Sequence, residues 1–327
     1  MAGSSVSVNY NLRPCKSIER RMMCEMISRL AVFGQLCNYR YIGMGAKYFA
    51  DFTLMHKEFG ISKMYSMEIN SSETNKKRFE FNKPFNCIEM MFGNSSDILN
   101  SAKLQWRNKK NIIWLDYDGG IKSNQLQDVE TCIGKADTGS VIFISFNTDF
   151  GEGFQHASPK EKLDIYKSRI SNENLVVQLQ PKDVSKDNLY KTTLKMFDLI
   201  VRNKILERNS VILEETEKYQ CQQLVYFKYK DSKAVMLTIG WLVYQNKEFE
   251  KFKQCNFPSL EFFNDTNNPY DISVPNFTYK ELMVLNRNMP NVTIPIADAD
   301  FLSKEEIEAY RKIYKYYPTT FETSIVL

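Results

Sequence analysis

The hydrophobic and polar positions near the start of the chain follow a helical period. In "CKSIERRMMCEMISRLAVFGQL" apolar residues recur every three to four positions, which predicts one helix with a single buried face. This apolar stripe consists of Ile18, Met22, Met26, Leu30 and Phe33. The basic residues Lys16, Arg20 and Arg21 lie off the stripe, so the pattern places them away from that buried face.

Five short strand patterns then alternate with helical patterns. The strands are "YRYIGM", "KMYSMEI", "FNCIEMMF", "NIIWLDYD" and "SVIFISFNT", and the first helix between them is predicted at Ala46–Phe59. The strands are apolar on both faces, as strands buried in a parallel sheet are. The alternation predicts an α/β fold with a doubly wound parallel sheet and right-handed crossovers.

The second half of the chain changes period. After a polar section, "GEGFQHASPKEKLDIYKSRISNENL", the run "NLYKTTLKMFDLIVRNKILER" predicts a long helix. Two apolar runs joined by Lys230–Lys233 then predict an antiparallel hairpin. The tail has several prolines and two short helical patterns, Thr278–Asn288 and Ser303–Tyr316. Its second helix either packs on the main sheet or offers its apolar, aromatic face to a protein partner or substrate.

These patterns divide the chain into three parts. Residues 1–38 form an N-terminal segment with its helix, and residues 39–244 form the main α/β domain, with the polar insert and long helix at 151–210. Residues 245–327 form a small appended subdomain.

Composition narrows the class of protein. With 43% hydrophobic and 25% charged residues, the chain has the makeup of an ordinary globular protein. Its net charge of +4 permits an anionic partner without requiring one. The 7 cysteines show no CxxC spacing, so we expect reduced thiols in a cytoplasmic protein, with no membrane-spanning segment. Only His56 and His156 are available, which argues against a histidine zinc site or a Ser-His-Asp triad.

The turn after the first predicted strand, in "YRYIGMGAKYFADF", is a candidate ligand site. Gly43 and Gly45 would let the backbone approach a ligand, and a following helix would offer N–H groups to an anion. Glu68 ends the second strand, where an acid is placed to accept both hydroxyls of a ribose. A helix cap or a surface acid is the alternative for Glu68.

Polar residues also follow the later strands, at the edge of the sheet where ligands bind in such folds. "GNSSDIL" supplies Ser95, Ser96 and Asp97, as helix caps or ligand contacts. "WLDYDGG" supplies Asp116, Tyr117 and Asp118. The two aspartates could bind Mg²⁺, or one could act as general base on a hydroxyl or accept a hydrogen bond from an amine. Alternatively, Asp116 could simply orient a cofactor. Asn147 ends the fifth strand at the same edge.

The N-terminal segment "RPCKSIERR" is rich in basic residues. Arg13, Lys16 and Arg20, with Arg21, are candidates for a patch that contacts the phosphates of a nucleotide or nucleic-acid substrate. The alternative is an exposed helix face paired with Glu19 and Glu25.

The order of five alternating strands, a long helix and a closing hairpin resembles the class I S-adenosylmethionine-dependent methyltransferases. The run "NLRPCKSIERRMM…YRYIGMGAKYFADF…MYSMEIN…GNSSDIL…IIWLDYDG" resembles, more narrowly, a bacterial family of O-methyltransferases over about residues 10–150. The resemblance implies a Rossmann-like sheet of five parallel strands with a C-terminal antiparallel hairpin, and S-adenosylmethionine as cofactor. It places the methionine carboxylate at the Gly43–Gly45 turn and the methyl group and substrate near Asp116.

The resemblance also implies that the loop with Ser95, Ser96 and Asp97 holds the adenine. Two departures from the motif stand out. Tyr41 occupies the position that usually carries an acid for the cofactor amine, and Ala46-Lys47 replaces the third glycine. Asp51 is the candidate for the replacement acid.

Three functions follow as hypotheses. The leading one is a methyltransferase acting on a hydroxyl or amine of a nucleotide, nucleic acid or small metabolite. The second is a degenerate nucleotide-binding module in a multi-protein assembly, such as an anti-phage defence or toxin system. The third is a nucleic-acid hydrolase whose metal cluster is formed by Glu68, Asp116 and Asp118.

Overall fold

A computed structural model of the protein describes residues 13–69, 72–148, 154, 156–171, 178–230 and 235–318. Within these residues, eight strands form one sheet. The strands are β1 Arg40–Gly43, β2 Lys63–Glu68, β3 Ile88–Phe92, β4 Asn111–Asp116, β5 Ser140–Asn147, β6 Tyr219–Lys230, β7 Val235–Gln245 and β8 Tyr270–Ile272.

The sheet has the order β3-β2-β1-β4-β5-β7-β6-β8. Strands β1 to β5 are parallel, and β7 runs antiparallel to both β5 and β6. The order of β1 to β5 is that of the doubly wound dinucleotide-binding fold, and the β6–β7 hairpin stands where a sixth parallel strand would follow. The predicted fold class and hairpin are therefore confirmed, although most of the predicted turn lies outside the described residues.

Ten α-helices accompany the sheet in the described part of the chain. They are α1 Pro14–Ser28, α2 Ala50–Phe59, α3 Glu73–Asn82, α4 Ser95–Asn100, α5 Ser123–Lys135, α6 Pro159–Ile170, α7 Leu189–Asn209, α8 Phe249–Gln254, α9 Tyr279–Asn288 and α10 Lys304–Ile313.

The sheet separates two hydrophobic cores. Neighbouring strand residues point to opposite faces, so Tyr41 joins the core with α1 and α2, while Ile42 joins the core with α5 and α7. The tail shares the first of these cores, because Ile307 and Tyr310 of α10 are buried in it. Strand β8, also from the tail, pairs with β6 in parallel. Of the two alternatives for the second tail helix, packing against the main body is the one observed.

Two elements differ from the sequence prediction. Helix α2 begins at Ala50 and not at Ala46, because Ala46 and Phe49 have φ angles of 47° and 48°, in the left-handed region that an α-helix does not use. Helix α6 lies in the section that was predicted only as polar. Its start carries a capping box, in which Ser158 and Glu161 bond each other's backbone N–H groups ahead of a Pro159 at the first turn.

The structure has no disulfide among the seven cysteines, of which Cys15, Cys132 and Cys255 are buried. Among the described residues, no helix combines the length and apolar character needed to cross a membrane.

Candidate functional site

A cavity of about 550 Å³ opens at the carboxyl ends of β1 to β4. Its volume lies in the range of sites that hold small molecules and cofactors, roughly 300–1,000 Å³. Most of the predicted site residues line it: Arg20, Gly45, Asp51, Glu68, Ser95, Ser96, Asp97, Asp116, Tyr117 and Asp118. Gly43, Arg13, Lys16 and Asn147 were also predicted, but they are not part of its wall.

The Gly43–Ala46 turn is bound to the end of β2. The Gly45 N–H donates to Ser66 Oγ at 3.1 Å, and the Ala46 N–H donates to Glu68 Oε1 at 2.7 Å. Because side chains of the protein accept these two N–H groups, the turn does not form the open anion cradle that the sequence predicted.

The two glycines also have a role in packing. A Cβ on Gly45 would lie 2.5 Å from Cδ1 of Phe49, and a Cβ on Gly43 would lie 2.9 Å from the Tyr41 hydroxyl. Both glycines therefore make room for the protein's own aromatic rings. Gly45 also lines the cavity, so its predicted contact with a ligand stays a prediction.

Replacing Gly45 by alanine is expected to lower the free energy of unfolding by about 1–3 kcal/mol, the usual cost of overpacking a buried site. Phe49 is fully buried, so its ring has little space into which to move. Urea unfolding followed by circular dichroism measures the change. Gly119→Ala is the matched control, because a Cβ there meets nothing within 4 Å. Equal stability of the two variants would contradict the packing role of Gly45.

Glu68 is the acid at the end of β2, and only 7% of it is exposed. Burial raises the pKa of Glu68 to about 7, although the hydrogen bond from the Ala46 N–H opposes this shift. Its Oε1 accepts that N–H, and the carboxyl group borders the cavity. Glu68 therefore faces a ligand-sized space and is not a surface acid, while its contact with the hydroxyls of a ribose stays a prediction.

Asp128 was not predicted, yet it organises one wall of the cavity. This fully buried residue of α5 accepts hydrogen bonds from the hydroxyls of Ser95, Ser96 and Tyr117. These contacts join the first turn of α4 and the loop after β4 to α5. The two serine hydroxyls therefore donate their hydrogen bonds to Asp128, whereas the resemblance implied that they bind an adenine. Asp97 is exposed and accepts a hydrogen bond from the Asn94 side chain at 3.3 Å.

A signal for Asp128 was present in the sequence. It lies one helical turn before the buried Cys132, and an acid on a buried face requires a partner.

Lys16 is the counter-ion of Asp116. Its Nζ lies 3.0 Å from Asp116 Oδ1, 2.8 Å from Glu19 Oε2 and 4.6 Å from the centre of the Trp114 ring. The Lys16 side chain is 2% exposed. Burial alone would lower the pKa of Lys16, but Asp116 and Glu19 outweigh burial and raise it. Burial also raises the pKa of Asp116, to about 6, against the opposing effect of Lys16.

Arg20 makes a second buried ion pair, with Asp51 of α2. Burial opposes the charge of Arg20, but the Asp51 carboxylate more than compensates and raises the pKa of the guanidinium. The predicted phosphate patch is therefore corrected: Lys16 and Arg20 are buried in pairs with carboxylates and do not form an exposed basic surface. The predicted alternative, an exposed face paired with Glu19, is also wrong, because Glu19 is itself fully buried.

The carboxylates of the cavity do not form a metal site. Among the described residues, no group of three or more histidines, cysteines, aspartates or glutamates is arranged to hold a metal ion. The ammonium group of Lys16 lies against Asp116 instead. The predicted Mg²⁺ site and the metal cluster of the hydrolase hypothesis are therefore not supported.

Comparison with models of protein families gives a match over nearly the whole chain. The model of the family described as "Putative O-methyltransferase" matches residues 8–325. A search of curated proteins found no match.

Similar solved structures include the O-methyltransferase TomG from Streptomyces achromogenes, involved in tomaymycin synthesis, in complex with SAM. It is 11% identical, with 68% of this chain and 79% of that chain covered and a TM-score of 0.35. The O-methyltransferase from Bacillus cereus in complex with SAH is 12% identical, with 67% and 80% covered and a TM-score of 0.33.

A LepI variant in complex with SAH and a substrate analogue is 9% identical, with a TM-score of 0.33. The match covers 63% of this chain but only 43% of the LepI chain. The family assignment rests on the match of residues 8–325 to the family model and not on these structures.

Proposed function

We propose that this chain, which belongs to the putative O-methyltransferase family, transfers the methyl group of S-adenosylmethionine to a hydroxyl or amine of a small metabolite. The observation that carries this proposal is the position of Glu68. It ends β2, borders a cavity of about 550 Å³ and is itself bonded to the turn after β1. A carboxylate at that point is placed to accept the two hydroxyls of the cofactor ribose.

The residues of the cavity fit this cofactor. Among the residues that the structure describes, the Glu68 carboxylate accepts a hydrogen bond only from the Ala46 N–H, through Oε1, so its second oxygen is available to a ligand. The first turn of α4 and the loop after β4 are joined through Asp128 and form the wall on the adenine side. Bound there, S-adenosylmethionine supplies a methyl group on a sulfonium that is already activated for transfer.

Asp116 is the residue that we place at the methyl acceptor. It ends β4, borders the cavity, and its side chain is 14% exposed. In the transfer, the acceptor oxygen or nitrogen would bond to the methyl carbon as the bond from that carbon to sulfur breaks, so that S-adenosylhomocysteine leaves and the acceptor loses a proton. Asp116, held in position by Lys16, is the carboxylate that takes that proton.

The charge of the cavity favours a small metabolite among the three acceptor classes. Its described lining residues include five carboxylates, those of Asp51, Glu68, Asp97, Asp116 and Asp118, and a single basic side chain, Arg20. A nucleic-acid phosphate beside the methyl group would meet mostly like charge. An uncharged hydroxyl or an amine meets no such repulsion.

Calorimetric titration with S-adenosylmethionine, S-adenosylhomocysteine, ATP and NAD tests the proposal. We expect both S-adenosyl compounds to bind and the two phosphate-bearing nucleotides not to bind, since Ser66 and Glu68 already accept the N–H groups of the turn. Binding of ATP alone would instead favour a degenerate nucleotide-binding module. Binding of none of the four would overturn the proposal.

The affinity for S-adenosylhomocysteine should fall as the pH falls. Glu68 has a pKa of about 7 in the free protein because burial disfavours its charge. Ribose hydroxyls donate to the ionised carboxylate, so binding must displace the proton that Glu68 carries below that pH. We expect the dissociation constant to be constant above about pH 8 and to rise up to about tenfold per pH unit below 7. A flat profile between pH 8 and 5.5 would contradict the role of Glu68.

A further inference from the structure

At the end of β4, one buried lysine lies between two carboxylates. The Nζ of Lys16 is 2.8 Å from Glu19 Oε2 and 3.0 Å from Asp116 Oδ1. Lys16 and Glu19 are three positions apart on α1, so they lie on the same side of the helix. Trp114 and Asp116 are two positions apart on β4, so both side chains point to the face of the sheet that α1 covers.

The two carboxylates are not equivalent. Glu19 is fully buried, and besides Lys16 it accepts hydrogen bonds from the hydroxyls of Tyr229 and Thr238, on β6 and β7. Among the described residues, the Asp116 carboxylate accepts a hydrogen bond only from Lys16, and it borders the cavity. A proton that arrives from the cavity therefore reaches Asp116 and not Glu19.

A chain of hydrogen bonds holds Glu19 in place beside the ammonium group. The Trp114 Nε1–H donates to Ser145 Oγ at 2.9 Å, and Ser145 Oγ lies 2.6 Å from Thr238 Oγ1. Thr238 in turn donates to Glu19. The Trp114 ring also lies 4.6 Å from the Lys16 Nζ. Strands β4, β5 and β7 together thus fix the position of Glu19, and Glu19 fixes that of the ammonium group.

Stability alone does not account for Glu19. One carboxylate would compensate the charge of Lys16, and each further charge that is removed from water costs free energy. The protein nevertheless keeps two carboxylates for one ammonium group. The effect on Asp116 supplies a reason. A carboxylate that has a lysine to itself holds a proton weakly, whereas one that shares the lysine with a second carboxylate holds the proton more strongly.

We infer that Glu19 is a positioning residue that holds the Lys16 ammonium group between the two carboxylates and takes up part of its charge, so that Asp116 stays basic enough to accept the proton of the methyl acceptor. This inference rests on the proposed function, in which Asp116 takes that proton. A general base works best when its affinity for the proton suits the working pH. Burial raises the pKa of Asp116 to about 6 against the effect of Lys16, and Asp51 and Glu19 add to this rise.

Other titratable groups also face Asp116. Among the described residues, the groups that do so are Lys16, Glu19 and Arg20 of α1, Asp51 of α2, Tyr41 of β1 and Tyr229 of β6. Burial raises the pKa of both tyrosines, so they are uncharged near neutral pH. Asp51 has Arg20 as its own counter-ion. Glu19 is therefore the acid that shares Lys16 with Asp116.

Carboxyl NMR measures the proton affinity of Asp116 directly. Protein that carries ¹³C at the side-chain carboxyl of its aspartates is titrated from about pH 8 to 4.5 as wild type, Glu19→Gln and Glu19→Asp. The signal of Asp116 is the one that Asp116→Asn lacks. Glu25→Gln is the matched control, because Glu25 lies on the same helix but bonds Tyr316 of the tail. Circular dichroism and thermal unfolding confirm that each variant is folded.

We expect Asp116 of the wild type to titrate near pH 6. In Glu19→Gln, the acid dissociation constant of Asp116 should rise about tenfold or more, because a like charge is gone and the whole charge of Lys16 then acts on Asp116. Glu19→Asp keeps the charge, so its constant should stay within about threefold of the wild-type value. The Glu25→Gln control should leave the constant unchanged.

An unchanged or smaller constant in Glu19→Gln would overturn the inference, since Glu19 would then only hold the lysine in place. Equal rises in Glu19→Gln and Glu19→Asp would do the same, because charge would not be their cause. Should Glu19→Gln not fold, the wild type still decides. A midpoint at or below about pH 4, the ordinary value for an aspartate, would mean that Lys16 acts on Asp116 alone.

These outcomes are independent of the test of the proposed function, which is the titration with S-adenosylhomocysteine. If that ligand binds and Asp116 titrates in the same way with and without the Glu19 charge, the proposed function stands and the inference fails. If that ligand does not bind the wild type, the proposed function fails, and the inference fails with it.

Discussion

Replacing Lys16 by methionine is expected to lower the free energy of unfolding by about 3–5 kcal/mol, the usual result of removing one partner from a buried ion pair. The ammonium group lies within 3.0 Å of Asp116 and 2.8 Å of Glu19. Its loss leaves two carboxylates, both largely removed from water, without their counter-ion. Methionine preserves the length of the side chain, so the change measures the charge more than the packing.

Urea unfolding at pH 8 measures this effect, and Lys253→Met is the matched control. Lys253 pairs with Glu250, but their side chains are 51% and 74% exposed. An exposed pair contributes at most about 1 kcal/mol. Equal losses in the two variants would contradict the view that Lys16 compensates buried charge.

The deficit of the Lys16 variant should shrink as the pH falls from 8 to 5. The pKa of Asp116 is already raised to about 6 by burial, and removing Lys16 raises it further. Protonation then neutralises the uncompensated carboxyl group. A group whose folded pKa is raised loses stability as the pH rises through that pKa, so the variant is most impaired on the alkaline side. A deficit independent of pH would indicate lost packing instead.

Replacing Glu68 by glutamine is expected to weaken binding of S-adenosylhomocysteine by roughly 30–150-fold at pH 8, equivalent to about 2–3 kcal/mol. Glutamine keeps the shape of the side chain and one acceptor oxygen, which can still bond the Ala46 N–H. What it lacks is the charged second oxygen and therefore the charge-assisted hydrogen bonds with the ribose.

Calorimetry of the two proteins across the pH range gives a second readout. Because glutamine does not titrate, the variant should lack the Glu68 component of the pH dependence, and the wild-type affinity should approach that of the variant near pH 5.5. Thermal unfolding serves as the control for folding. If the variant binds as tightly as the wild type at pH 8, Glu68 does not contact the cofactor.

Local patterns predicted the scaffold of the site well. The strands are recognisable because each is a short apolar run between polar turns, and parallel order follows from their alternation with helices. The ends of such strands meet at one edge, so Glu68, Asp116 and the Ser95–Asp97 loop were correctly brought to one cavity. The tail helices were also predicted close to their observed bounds, Tyr279–Asn288 and Lys304–Ile313.

The partners of the charged residues were not predictable in the same way. Lys16 and Arg20 lie off the apolar stripe of α1, and a helical pattern taken alone places such residues in water. In the folded protein, α1 packs against α2, β6 and β8, and Lys16 and Arg20 are buried there. The same limit applies to Asp128, whose three hydroxyl donors come from the first turn of α4 and from the loop after β4.

By itself, then, the sequence determined the α/β order, the closing hairpin, the family and the edge of the sheet at which the chemistry is placed. These depend on periodicity and on residues close together in the chain. Only the tertiary structure decided which charges meet there: Lys16 and Asp116 are 100 positions apart, and Arg20 and Asp51 are 31 apart. The free energy of an ion pair depends on the distance between its charges and on their removal from water. Packing sets both quantities, and a local pattern of residues contains neither.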